Sequence, residues 1–482
     1  MNTAYCIKNM GFFSKFLFIL WHKYLFERFC LVLFNKDIFL AEQFLDKFNS
    51  ALADSSIAHT SMPGVFKPES LKQTFQLFLK STEEKEFGVI YRMLYSYIKT
   101  RNEKYFLIGI SVVYPEQLFF SLVIAKVIKE KFNKNLRVVL GGPMITKNSE
   151  YLIEEQAIYD FVDFFVANDG EKPLVELLNE PIKSRLSEIP NLFFKNTEAF
   201  GKYEKSKGTF YLYPEDYAAP DFKGFNLDYY GKTIPVLASK GCFWGKCSFC
   251  TYSLMQQHEY RKPVLENVIT TIEQSKIIHG VCRYYFVDDA LPPSFLMLFA
   301  NRALEVKLEI NWECSLILSK ELLSVEFCQL LRKAGLRKVK MGLESISSRI
   351  LKLMNKYHKD MSEIELQQIL NNLHEAGISI VLHVIFGFPT EMLGEAQQTL
   401  NFLIKNKDIC TPSIQPFSLE ENVSVYNNPW GFGITAIHKE DKDSGIRWGY
   451  RYEVATGMSQ EEAKKFTEEA IKTCCSHAGA ET

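Results

Sequence analysis

The sequence is short of several things that would place it quickly. It has almost no net charge: 56 basic residues stand against 57 acidic ones, leaving −1 over 482 residues. No excess of positive charge marks a phosphate-rich partner, which argues against bulk nucleic-acid binding. It also lacks an uninterrupted apolar run of membrane length. Phe12–Leu40 is rich in Phe, Leu and Ile, but Lys15, His22, Lys23, Glu27, Arg28, Lys36 and Asp37 break it up. The segment therefore reads as a buried or interfacial helix, with membrane-surface association as the alternative, and no transmembrane segment is expected. No signal peptide, internal repeat or low-complexity stretch is visible. The 11 cysteines are scattered, apart from one cluster and the adjacent pair Cys474-Cys475. That distribution fits the reducing cytoplasm better than a disulfide framework. With 47% hydrophobic and 14% aromatic residues, the chain has ample material for a large core and two or three domains.

The one cysteine cluster is the most informative feature. Cys242, Cys247 and Cys250 lie in a glycine-bearing loop with the spacing C-x4-C-x2-C. Three thiolates this close in sequence can converge on one iron–sulfur cluster. Three ligands for four irons leave one iron open to a further ligand, as a reactive site needs. The alternative is a closed zinc site with His258, eight positions beyond Cys250, as fourth ligand. Against zinc, the chain contains no second C-x2-C half-site. Phe243, Trp244 and Phe249 also interleave the cysteines with aromatic surface suited to a dry pocket.

Around this loop the chain alternates between strand and helix patterns. Residues 1–100 read as a helical N-terminal region. Residues 101–183 hold continuous apolar runs at Phe106–Val113, Arg137–Leu140 and Phe161–Val166, separated by helical stretches. That order predicts a doubly wound, Rossmann-like parallel sheet. Residues 184–232, rich in Pro, Asp and Tyr, read as a linker. From 233 to 420 the alternation resumes, with strands at Ile234–Ser239, Tyr284–Val287, Leu308–Trp312, Lys338–Gly342, Ile380–Phe386 and Ile414–Phe417. Six βα units predict a partial barrel with an open side, the cysteine loop leaving the carboxyl end of its first strand. Residues 421–482 form a C-terminal extension with a charged helix near Gln460–Cys474. The fold class is thus α/β throughout the two sheet regions.

Residues at the carboxyl ends of these strands are the candidate site. Asp288 and Asp289 follow the second barrel strand, where a carboxylate can hold an amino group or a ribose, or simply cap a helix. Glu344 follows the fourth, with an ion pair to Lys338, Lys340 or Arg349 as its ordinary alternative. Ile385 and the Gly387-Phe388-Pro389-Thr390 turn end the fifth. In the first sheet, the Gly141-Gly142 pair closes a strand, where a missing side chain lets a ligand approach backbone or merely makes a turn.

Taken together, these positions resemble the radical SAM enzymes that carry an N-terminal cobalamin-binding-type domain. The resemblance covers about Tyr105–Gly433. It rests on the cysteine loop, on Phe286-Val287-Asp288-Asp289, on Gly342-Leu343-Glu344-Ser345 and on Gly387-Phe388-Pro389-Thr390. It implies that Cys242, Cys247 and Cys250 hold a [4Fe–4S] cluster whose open iron is chelated by S-adenosylmethionine (SAM). Phe249 and Ile385 would lie near the adenine, with Asp288, Glu344 and Ser345 toward the polar parts of SAM. The commonest spacing in these enzymes is C-x3-C-x2-C, and Gly245 can absorb the extra residue here. Ser111, Gln117, Gly141 and Gly142 match the cobalamin-type sheet. The Asp-x-His-x-x-Gly loop of other cobalamin proteins is absent, and no initial strand is visible upstream of Tyr105.

The resemblance implies an enzyme that generates a 5′-deoxyadenosyl radical and uses cobalamin to methylate an unactivated carbon in a peptide or small molecule. An electron donor of the flavodoxin or ferredoxin kind would supply it. Non-methylating outcomes such as rearrangement, oxidation, C–C bond formation or transfer of another SAM fragment share the same motifs. A zinc- or cluster-binding scaffold is the non-enzymatic alternative.

Overall fold

The computed structural model describes residues 16–20, 74–75, 107–113, 115–179, 183–195, 202–222, 227, 231–252, 259–438 and 449–477. The chain divides into two compact units, residues 1–212 with 440–448, and residues 213–439 with 449–482.

The first unit is built on a six-stranded sheet. Strands β1 (Phe16–Leu20), β2 (Leu107–Ser111), β3 (Arg137–Gly141) and β4 (Phe164–Val166) run parallel in that order. Helices α1 (Pro115–Val127), α2 (Pro143–Leu152) and α3 (Glu171–Asn179) connect or follow the last three. The apolar runs are continuous because both faces of the sheet are covered. Ile108, Ile110, Val138, Leu140 and Phe165 pack with Leu118, Leu122 and Ile145 on one face, while Leu107, Val139, Phe164 and Val166 pack with Leu177 and Ile189 on the other.

Two expectations are corrected here. Phe16–Leu20 lies in the stretch read as helical, yet its backbone pairs in parallel with β2, Phe16 opposite Leu107 and Leu20 opposite Ser111. It is the initial strand that the sequence did not reveal, because a five-residue apolar run has too few residues to separate period 2 from period 3.6. The supposed linker also extends the sheet: β5 (Leu192–Lys195) adds antiparallel to β4, and β6 (Tyr203–Lys205) adds antiparallel to β5. Short antiparallel strands need no crossover helix, so the strand–helix alternation that betrayed the others was missing.

In the second unit, six parallel strands stand in sequential order: β7 (Thr233–Val236), β8 (Arg283–Phe286), β9 (Asn311–Leu316), β10 (Leu336–Glu344), β11 (Ser379–Phe386) and β12 (Cys410–Pro416). Among the described strands β7 and β12 do not pair, so the barrel is open. Helices α4 (Leu265–His279), α5 (Pro293–Glu305), α6 (Val325–Lys333), α7 (Ser348–Leu353), α8 (Glu363–Glu375) and α9 (Leu393–Lys405) fill the connections. Alternation sets the two faces of each strand. On β10, Val339, Met341 and Leu343 join the core under the helices, while Lys338, Lys340 and Gly342 take the concave face. Capping is explicit: the Ser362 side chain accepts from Glu365 N–H, and Glu365 returns the bond to Ser362 N–H.

The C-terminal region is no appendage. After α10 (Ser424–Asn427), β13 (Ile434–His438) pairs antiparallel with β14 (Arg451–Val454), and α11 (Gln460–His477) packs along β11 and β12. Ala463 and Ala470 belong to the barrel core, and Phe466 meets Phe386 edge-on at 4.9 Å. No described helix is long and apolar enough to cross a membrane.

Candidate active site

The cysteine loop begins at the end of β7, and Asp288 fixes its first residues. The Asp288 carboxylate accepts from Ala238 N–H (3.1 Å), Ser239 N–H (2.5 Å) and the Ser239 hydroxyl (2.5 Å). Burial raises its pKa while those bonds pull it back. A Lys240–Arg261 backbone bridge closes the base of the loop. Gly241, at φ +83°, must be glycine, since a Cβ there would stand 2.5 Å from Glu259 O. Gly245, at φ +59°, makes the turn that accommodates the fourth intervening residue.

A segment marked by no motif or period clasps this loop. Residues 353–359, starting at the last residue of α7, bind it at four points. Ser248 N–H donates to Met354 O (3.0 Å), and the Ser248 hydroxyl donates to Leu353 O (2.9 Å). Trp244 Nε1–H donates to Asn355 O (2.8 Å), and Asn355 Nδ2 donates to Lys246 O (2.9 Å). The Tyr357 ring packs edge-on against Phe243 and Trp244. From the other side Val425 N–H donates to Ser248 O (3.1 Å), so the C-terminal region also anchors the loop.

The three thiols feel one another. Burial pushes the Cys247 thiol up to about 11; Lys356 opposes that shift, and Cys250, Cys242 and Glu344 add to it. A thiolate here therefore calls for a cation to hold it, which is the donor chemistry of a metal centre. Among the described residues no three His, Cys, Asp or Glu groups converge as a single ion would require. A multi-iron cluster meets each thiolate at a different iron and asks for no such convergence. His258, the candidate fourth ligand for zinc, lies outside the described residues.

Glu344 ends β10 at φ +60°, beside a register shift against β11. Its partner is none of the three expected bases: Lys356 Nζ stands 3.0 Å from Glu344 Oε1, with both side chains buried. Burial works against the Lys356 ammonium, but Glu344 and then Cys247 outweigh it and its pKa rises. Gly342 makes the pair possible, since a Cβ there would meet Glu344 Oε1 at 2.3 Å and Lys356 Nζ at 2.9 Å. This is the physical content of the Gly-x-Glu pattern.

Phe249, Glu344 and Ile385 line one cavity of about 280 Å³ at the carboxyl ends of β10–β12, together with His383, Ser413 and Gln415. Phe249 and Phe417 give that cavity an apolar wall, Phe249 backed edge-on by Phe388 at 6.3 Å between ring centres. His383, unnoticed in the sequence, lies on the concave face; burial lowers its pKa, Glu344 opposes, and Lys340 and Lys356 lower it further. Two proposed contacts are spent elsewhere. Ser345 is fully buried, 3.3 Å from Thr399 Oγ1 and accepting from Ser347 N–H, and it does not line the cavity. Asp288 serves the loop, leaving Asp289, raised to about 6 by burial and by Asp288, as the second carboxylate of the pair.

In the first unit Ser111 and Gly141 stand opposite each other at the carboxyl ends of β2 and β3, both half-buried. Gln117 is buried and accepts from Val113 N–H (2.7 Å). Gly142, at φ +97°, makes room for protein: a Cβ there would lie 2.6 Å from Val112 O. The space that the glycine pair suggested for a ligand is, at Gly142, taken by the neighbouring strand end.

Residues 236–403 match the family model of the Radical SAM superfamily. A bacteriochlorophyllide d C-12(1)-methyltransferase of Chlorobaculum tepidum is 30% identical over 183 residues, 37% of this chain and 39% of that protein. An uncharacterized methyltransferase of Pyrococcus horikoshii is 26% identical over 312 residues, 62% of this chain and 64% of that protein. The chain thus spans less than two thirds of the length of either relative. In fold it is similar to the radical SAM methyltransferase TsrM of Kitasatospora setae, solved with tryptophan substrate and a SAM analogue. That likeness has a TM-score of 0.58 and 17% identity, covering 83% of this chain and 80% of that one. A cysteine loop on the first strand of an open six-stranded barrel, inside a stretch that matches this family model, makes residues 236–403 of this chain a radical SAM domain.

Proposed function

We propose that the chain is a cobalamin-dependent radical SAM methyltransferase acting on an unactivated carbon of a small molecule or peptide in the cytoplasm. The observation that carries the reading is the shared placement of a clasped three-cysteine loop and a cavity lined by Phe249, Glu344 and Ile385. Cys242, Cys247 and Cys250 would hold a [4Fe–4S] cluster. When bound, that cluster supplies one electron for cleavage of SAM, and methylcobalamin supplies the methyl group. The chain's own residues bind and orient. Glu344 would accept from the SAM amino group, with Phe249 and Ile385 against the adenine; their common cavity supports this. Phe249 and Phe417 keep that end of the cavity dry, which protects a reactive carbon radical from stray hydrogen donors. His383, Ser413 and Gln415 remain to meet the substrate on the concave face.

Support for cobalamin comes from the parallel sheet of the first unit, now complete with its initial strand, and from a solved TsrM structure that holds cobalamin and a [4Fe–4S] cluster. Ser111 and Gly141 are the residues free to face it. The test is anaerobic reconstitution of the full chain with iron, sulfide and cobalamin, followed by reduction in the presence of SAM. 5′-Deoxyadenosine absent from a Cys247→Ala variant, together with S-adenosylhomocysteine, is the expected result. Zinc in place of an iron–sulfur cluster would sink the reading.

A further inference from the structure

The Glu344–Lys356 pair is costly where it stands. Its side chains are 9% and 11% exposed, and taking two charges out of water consumes much of what their attraction returns. A buried pair of this kind adds little stability, so its use has to be sought in its surroundings. The peptide carbonyls of residues 353–355 and the Asn355 side-chain amide, just before Lys356, are bonded to Trp244, Lys246 and Ser248, on both sides of Cys247. The clasp therefore anchors the chain next to Lys356 on the cysteine loop, on either side of Cys247. Glu344 fixes the ammonium from the strand side, over the bare backbone of Gly342.

An iron–sulfur cluster gains one negative charge on reduction, and its potential responds to nearby charge and to burial. A fixed cation in a poorly screened site favours the reduced form. We propose that Lys356, positioned by Glu344 and the 353–359 clasp, is the charge that raises the reduction potential of the cluster carried by Cys242, Cys247 and Cys250. This inference rests on the cluster reading of the loop given above.

The test is an EPR redox titration of the reconstituted full chain before SAM is added, comparing wild type with Lys356→Met and Glu344→Gln, alongside iron and sulfide content. Lys356→Met should keep its cluster but lose about tenfold in the ratio of reduced to oxidised cluster at the wild-type midpoint, a fall of ~59 mV for one electron. Glu344→Gln leaves the cation and removes the opposing charge, so its midpoint should move to more positive potential. Opposite signs are the signature, because a merely structural loss would not separate the two variants. Should Lys356→Met fail to take up a cluster, Lys356→Gln decides: a fall in potential supports the inference, and an unchanged or higher potential overturns it. Intact clusters with a common potential in all three proteins overturn this inference and leave the function standing. A wild-type chain that takes up no cluster overturns both.

Discussion

Glu391 shows how a single residue couples this fold to pH. Its side chain is fully buried, Oε2 accepts from Gly387 N–H (2.6 Å), and Oε1 has no hydrogen-bond partner among the described residues. Burial raises its pKa to about 8, with Glu395 adding and the Gly387 bond and Arg349 opposing. The native state thus keeps a proton that the unfolded chain releases above its ordinary value of 4.5. Its contribution is complete below 4.5 and is lost as pH climbs toward 8, by about 1.4 kcal/mol per pH unit. A Glu391→Gln variant keeps the shape without the titration. Its thermal midpoint should match wild type in acid and exceed it increasingly up to pH 8, then run parallel; a difference that does not change with pH would show that the carboxyl is ionised in the native state. Nothing in the Pro389-Thr390-Glu391 run announces this. By contrast the spacing of Cys242, Cys247 and Cys250 is readable directly from the chain, and the fold brings Phe249 of that loop to one cavity with Ile385 at the end of β11. Ser345 and Gly142 are engaged by the protein itself, because a hydroxyl or a missing side chain can serve the fold as readily as a ligand.

At the scale of elements, the sequence yielded the strands with strong alternation or long apolar runs and missed those with local disguises. β12 was read from Ile414 because Thr411-Pro412-Ser413 looks like a break, yet an edge strand tolerates proline where its N–H would face outward. The 353–359 clasp has no period to read, and its use appears only where it meets the cysteine loop. The C-terminal helix α11 looked charged and separable, and its seat on the barrel depends on Gly387. At φ +79°, a Cβ on Gly387 would stand 2.2 Å from Ala463 Cβ. Gly387→Ala should therefore lift α11 off β11, at a cost on the order of 3 kcal/mol from overpacking and the left-handed backbone. Amide exchange should rise across Gln460–His477. Adding Ala463→Gly relieves the contact but leaves the backbone strain, so the double variant should recover part of the protection; full recovery would mean the strain at Gly387 is negligible.

At the scale of the whole molecule, the chain joins two compact units, each with its own sheet and core. If the second unit makes the radical and the first holds cobalamin, damage to the first should leave one product and abolish the other. Gly141 permits that experiment and Gly142 does not. A side chain on Gly142 would drive into Val112 at 2.6 Å and unseat the sheet, so its failure would say nothing about a ligand. Among the described residues a Cβ on Gly141 meets Val166 O at 3.5 Å and Val166 Cβ at 3.9 Å, ordinary contacts, at the carboxyl end of the sheet beside Ser111. Gly141→Leu should therefore fold, fill the space outside the strand end and lose the visible absorbance of bound cobalamin. 5′-Deoxyadenosine should continue to form, because Cys242, Cys247, Cys250 and Glu344 all belong to the other unit, while S-adenosylhomocysteine disappears. A Gly141→Leu chain that retains cobalamin at wild-type affinity would place the corrinoid away from the ends of β2 and β3, or show that the sheet here serves another purpose.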